Sequence, residues 1–315
     1  MSTKVTFEVE PGIKKADGSK NNKDEASHDF NTLTGRSLFF ILLPTLILML
    51  MFLLAYGSFI VTSFHELVPG LSMVGDEWTL NSYKRFFTST LYPSFLWETI
   101  WRSAEITLFA IIIAYPLAYG LVRTRSNFVR YTIMLVLLIP LLAGGISIAY
   151  AWIIMLGNVG VINSSLKYIG LIDRPIRFLY NWRGVVISIV HYLIPFAALS
   201  LVGPFQNVPR TLEESAINLG ASRIKVFIKV IFPLTITGII EAACLTFALA
   251  LSSFLFPLLL GGGRVKMISN IIYEKISVSY DLPFAAVLAI VLLFVSLSTV
   301  IGMTFLQRLL RRKYD

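Results

Sequence analysis

The sequence is poor in the residues from which most reactive sites are built. One cysteine, Cys244, in 315 residues excludes an intrachain disulfide and a cysteine-ligated metal. The three histidines, His28, His65 and His191, are scattered, and "HELVPG" at His65 is not the HExxH pattern of a zinc hydrolase. Charge is also scarce. Asp, Glu, Lys and Arg make up 14% of the chain, against about 25% in a soluble domain. No basic stripe interleaved with aromatics lies outside the apolar runs, so the net charge of +9 does not indicate nucleic acid. No nucleophile–base constellation suggests an enzyme.

Apolar residues fill the space: 56% of the chain, with 23 Phe and 13 Tyr. Residues 1–36 are polar and mixed in charge, without the apolar core of a signal peptide, and are expected to form a disordered cytoplasmic tail. Residues 37–315 form the membrane domain. Six apolar runs follow, at about Leu38–Phe64, Trp101–Val122, Val129–Leu156, Gly184–Phe205, Leu234–Leu260 and Pro283–Leu306. Each is near the roughly 20 residues needed to cross a bilayer, and lipid requires each to be helical. The expected fold is an all-α membrane protein with six transmembrane helices. With both termini inside, most Lys and Arg fall on the cytoplasmic side. The aromatic-rich segment between the first two runs, "WTLNSYKRFFTSTLYPSFLWETIW", is either an interfacial helix or a loop packed on the bundle.

Between the fourth and fifth runs lies an organised polar segment, "PRTLEESAINLGASRIKVFIKVIFP". Thr211 and Glu214 have capping-box spacing. Leu212, Ala216 and Leu219 form an apolar stripe at helical spacing. Gly220 suits a helix stop, and Ser222 suits the cap of a second helix. In that helix Ile224, Phe227, Ile228 and Ile231 share a face, and Pro233 marks entry to the fifth run. The segment predicts a helix–turn–helix shelf, small-sided at Ser215, Ala216 and Ala221 and suited to docking.

This segment resembles the EAA loop of ABC importer permeases: E-A-A, three residues, G, nine residues, then I-x-L-P. Here Glu214-Ser215-Ala216, Gly220 and Val230-Ile231-Phe232-Pro233 keep the spacing throughout, with Ser215, Val230 and Phe232 as departures. "LNSYKRFF", "AYPLAYGLVRTRS", "LLGGGR" and "LPFAAVLAI" are similar to the spermidine/putrescine branch of the type I, binding-protein-dependent importers. The resemblance covers most of the chain except residues 1–36. It implies a non-catalytic permease of the bacterial inner membrane working by alternating access. It further implies that the EAA loop, about 207–233, couples to an ATP-binding cassette dimer through Glu214, Ser215, Ala216, Gly220, Ala221, Phe227 and Pro233. ATP and magnesium belong to that partner; "GGGRVK" at Gly261 is not a GxxxxGK[ST] loop, and no cofactor is expected in this chain. Six spans enclose too little for a pathway, so a second, related permease is expected, with an external substrate-binding protein docking outside.

Three polar residues inside the runs are candidates for the pathway: Glu105, His191 and Glu241. Glu105 either lines a cavity or pairs with Arg102 at i, i+3, and His191 suits a hydrogen-bonded packing role. Pro116, Pro140 and Pro195 are candidate hinges. Polyamines are the expected substrate, with an opine, sugar or small anion carried by the same kind of machine as the alternative. A gradient-driven secondary transporter gives no reason for the shelf.

Overall fold

The computed structural model describes residues 35–68 and 73–314, so the expected tail lies almost wholly outside the described residues. The chain divides into two compact units at Ser58. The first holds most of α1 (Gly35–Thr62), whose apolar side chains, Leu48 and Phe52 among them, are exposed.

The second unit begins with an antiparallel hairpin, β1 (His65–Val68) and β2 (Met73–Trp78), with His65 opposite Trp78 and Leu67 opposite Val74. This hairpin is an exception to the all-helical expectation. Then come α2 (Asn81–Thr88), α3 (Leu91–Arg123), α4 (Asn127–Leu156), α5 (Val161–Tyr168) and α6 (Trp182–Gln206). The polar segment gives α7 (Arg210–Asn218) and α8 (Arg223–Val226), which runs through a π-helical turn, Phe227–Ile231, into α9 (Phe232–Leu251). The chain ends with α10 (Leu255–Leu260), α11 (Ile268–Ser277) and α12 (Leu282–Tyr314). Among the described residues six helices are long and apolar enough to span a membrane, in the six places expected from the sequence.

α6 is the most enclosed span and packs mainly on α3, α4 and α9. One buried cluster joins Ile106, Ile148, Val185, Ile189 and Phe256; a second joins Tyr115, Leu137, Leu201, Phe205, Val226 and Ile231. In lipid such contacts stabilise by close packing rather than by withdrawal from water. α2 settles the alternatives for the aromatic segment: Phe86 is buried against Ile268, Ile271 and Phe284, so this part is a loop helix packed on the bundle. Arg85 holds it there through Asp281 at 2.7 Å, and Asp281 also accepts from the backbone N–H of Phe284 at the start of α12.

Two spans depart from regular helix. α4 carries Gly144 at φ 73°, ψ 155°, a conformation open to glycine, so the bend follows Pro140 by one turn. The fifth span stops at Leu251 rather than running to Leu260. Its break exposes carbonyls within an apolar stretch, and α11 satisfies two of them: Ser269 donates to Ser253 O at 2.7 Å and Asn270 to Phe254 O at 2.7 Å.

Candidate functional site

The shelf is built as two helices around a glycine turn. Gly220 has φ +86°. Its N–H donates to Ile217 O at 2.9 Å, and the N–H of Ala221 donates to Ala216 O at 3.1 Å. These two bonds are the paired closure of a Schellman motif, and the left-handed position between them favours glycine. Ser222 caps α8, its hydroxyl accepting from Lys225 N at 3.4 Å.

The capping box at Thr211 and Glu214 does not form. α7 starts at Arg210, with Pro209 extended at the cap position and no side-chain cap, so Thr211 already lies within the first turn. Glu214 is exposed and has no partner within the described residues. The expected stripe also divides. Ala216 turns inward against the Phe205 cluster, whereas Leu212, Ile217 and Leu219 are exposed, Leu219 to 89%. In the second helix Val226, Phe227 and Ile231 face the core, but Ile224 and Ile228 face outward, Ile224 at 72% exposure. The π turn rotates the face that a regular helix would keep in line. It also accommodates Pro233, which lacks an N–H and whose ring would press on the Lys229 carbonyl of a regular helix.

Glu213, rather than Glu214, ties the shelf to the bundle. Arg123 Nε donates to Glu213 Oε1 at 2.6 Å, with side-chain exposures of 11% and 15%. Arg123 Nη2 donates to Val208 O at 2.7 Å, and Arg210 Nη2 to Val122 O at 3.0 Å. Removing one member of so enclosed a pair costs about 3 kcal/mol. The pair joins residues 90 positions apart, which no local spacing reveals. Next to it Phe227 packs edge-on against Tyr115 and Tyr119 of α3, with centroids at 5.6 and 5.5 Å. Phe227 and Ala221 therefore serve the internal seam of the shelf. The outer face is left to Glu214 and Ser215.

Farther along the same helices lies a cavity of about 1020 Å³ between α3, α4 and α6. Glu105 and His191 both line it, with Arg102, Phe109, Trp152, Trp182 and Arg183. The two readings of Glu105 hold together: it borders the cavity and accepts from Arg102 Nη1 at 2.8 Å. Arg102 also lies over the Trp182 ring, 5.0 Å from its centroid. His191 accepts at Nδ1 from Trp152 Nε1 at 3.2 Å, which requires that nitrogen to be unprotonated, so the residue packs and lines at once. Glu241 is elsewhere. It accepts from Gln307 Nε2 and borders two smaller hollows, one against α12 and one between α6, α7 and α9, so it does not join the other two candidates. The glycine turn at Gly262 and Gly263 precedes Lys266, whose ammonium is held by Glu274 at 2.6 Å.

Six apolar helices among the described residues, a large cavity between three of them and a polar shelf between the fourth and the fifth define an integral membrane transport subunit. Residues 106–315 match the family of binding-protein-dependent transport system inner membrane components, and the chain belongs to that family. It is a multi-pass inner-membrane permease subunit of an ABC importer, a transport component and not an enzyme. The spermidine/putrescine transport system permease protein PotB of Escherichia coli K12 is 29% identical over 289 residues, covering 90% of this chain and 98% of that one. The molybdenum transport system permease protein ModB of Mycobacterium bovis is 28% identical, covering 70% and 83%. A bacterial alginate ABC transporter, solved in complex with an alginate-pentasaccharide-bound periplasmic protein, includes a chain of the same fold. That chain superposes with a TM-score of 0.73 at 20% identity, covering 90% of this chain and 96% of its own.

Proposed function

We propose that this chain forms half of the membrane pathway of an ATP-driven polyamine importer and couples to a dimeric ATPase through the outer face of α7. The coupling reading rests on one observation above the rest. Glu214 and Ser215 stand exposed, their side chains unpaired among the described residues, on a helix whose inner side is held by Arg123 and a Schellman turn. Such a helix is preorganised to receive a partner and to pass its movement inward. ATP and magnesium are held by the partner ATPase. A related second permease supplies the other half of the pathway, and an external binding protein delivers the substrate. The Lys and Arg distribution supports cytoplasmic termini, with the shelf on the same side.

The polyamine assignment is supported by the likeness to PotB over nearly its whole length. The cavity suits it in part, because aromatic residues, Trp152, Trp182 and Phe109, line it together with the Glu105 carboxylate, although Arg102 pairs with that carboxylate. Arg102 and Arg183 in the same lining favour a second reading, a small anion carried by the same machine. The test is uptake of labelled putrescine and spermidine in cells with and without the chain, other polyamine systems having been removed. Chain-dependent uptake is expected. Its absence, with the complete importer present in the membrane, overturns the polyamine assignment and leaves the importer intact.

A further inference from the structure

A second hollow, of about 550 Å³, lies at the shelf end of the bundle, where α3 stops, α4 starts and the chain turns into α7. Three guanidinium groups border it, from Arg123, Arg130 and Arg210, beside an apolar wall that includes Leu121, Met134 and Val202. Arg123 is neutralised by Glu213. The other two are not neutralised: Arg130 Nη2 donates to Thr124 O at 3.2 Å and Arg210 Nη2 to Val122 O at 3.0 Å. Neither Arg130 nor Arg210 forms an ion pair among the described residues. Each guanidinium has five N–H donors, so most of their hydrogen-bonding capacity remains unused. Two uncompensated charges beside an apolar wall, one in the first turn of a span and one at the start of the shelf, match one ligand chemistry: a phosphate diester carrying a hydrocarbon chain. Phe128 and Tyr131, on the same turn of α4 as Arg130, are 79% and 63% exposed, as aromatics are at a bilayer interface.

We propose that this hollow binds the headgroup of an anionic phospholipid, its phosphate held by Arg130 and Arg210 and its first chain carbons lying along Leu121, Met134 and Val202. Charge-assisted bonds from planar guanidinium groups suit phosphate oxygens, and basic hollows between spans are established headgroup sites in membrane proteins generally. The apolar wall favours a membrane lipid over free phosphate, which would leave it uncovered. A lipid here bridges α4 and the first residue of α7, fastening the shelf to the bilayer. This inference is independent of which solute the importer carries.

The test is native mass spectrometry of the complete importer, including its ATPase, extracted from bilayers of phosphatidylethanolamine and phosphatidylglycerol. About one phosphatidylglycerol per chain is expected to survive extraction. Arg130→Gln with Arg210→Gln is expected to lower that retention several-fold. Arg125→Gln, which removes the same charge from outside the hollow, is expected to keep it. Where the double variant does not assemble, Arg130→Gln alone, outside the shelf, is expected to show the loss. Glycerol phosphate in solution is expected to leave the bound lipid in place. Unchanged retention in the variants overturns the proposal, and so does an equal loss in Arg125→Gln. Displacement by glycerol phosphate identifies a free-anion site instead. Loss of the ATPase with the lipid retained assigns the two arginines to the subunit interface.

Discussion

At the residue scale, Gly220 is the position on which the shelf turns. Among the described residues, no atom beyond its chain neighbours stands within 4 Å of where its Cβ would lie, so a side chain there meets open space and the penalty comes from the backbone alone. At φ +86° a non-glycine residue costs about 1–2 kcal/mol, and more if β-branched. Gly220→Val is expected to disturb the turn and separate ATP hydrolysis from uptake, while the spans, whose packing it does not touch, still insert. Uptake and ATPase rate in membrane vesicles measure this together, and normal uptake per ATP in the variant contradicts it. Residue-level signals were legible where they depend on near neighbours. The stop at Gly220 and the cap at Ser222 both stand as the local sequence implies. Thr211 failed as a cap because Pro209 takes the cap position two residues earlier, which a matching spacing to Glu214 does not register. The Arg123–Glu213 pair was beyond local reading for a different reason: its partners meet only once α3 and α7 are in place.

At the element scale, α3 is the connecting piece. Its last turns meet the shelf through Tyr115, Tyr119 and Arg123, and its middle turns border the cavity through Arg102 and Glu105. Tyr115 also bonds to Thr235 of α9 at 2.8 Å and stacks edge-on with Phe205 of α6, so three helices converge where the shelf enters. A double-mutant cycle with Tyr119→Leu and Phe227→Leu is expected to give a coupling energy of about 0.5–1.5 kcal/mol in thermal unfolding of the purified importer. Additive effects would remove the aromatic seam from the account. The long apolar helices were legible because lipid leaves a span few choices. The hairpin was not, since "HELV" and "MVGDEW" are short, carry charges and alternate weakly. The early end of the fifth span was hidden as well: its Ser252–Phe254 break is tolerated through Ser269 and Asn270, which lie on a later helix.

At the scale of the whole molecule, the arrangement places two kinds of surface along one helix, α3, the shelf at its end and the cavity at its middle. The shelf presents Glu214 and Ser215 outward and fixes its inner side to α3. The cavity gathers Glu105 and His191, two of the three polar residues that stand out within the apolar runs, and leaves Glu241 near α12. A helix held against both surfaces transmits displacement better than one joined by flexible chain, which is the physical basis of the proposed coupling across the bundle. The most direct test is a charge exchange at the joint, Arg123→Glu and Glu213→Arg singly and together, with solute uptake per ATP hydrolysed measured in the reconstituted importer. Each single change is expected to lower that ratio roughly tenfold, equivalent to about 1.4 kcal/mol, and the double exchange to recover much of it. Single variants that transport normally, or a double variant no better than either, would contradict the coupling route from the shelf through α3.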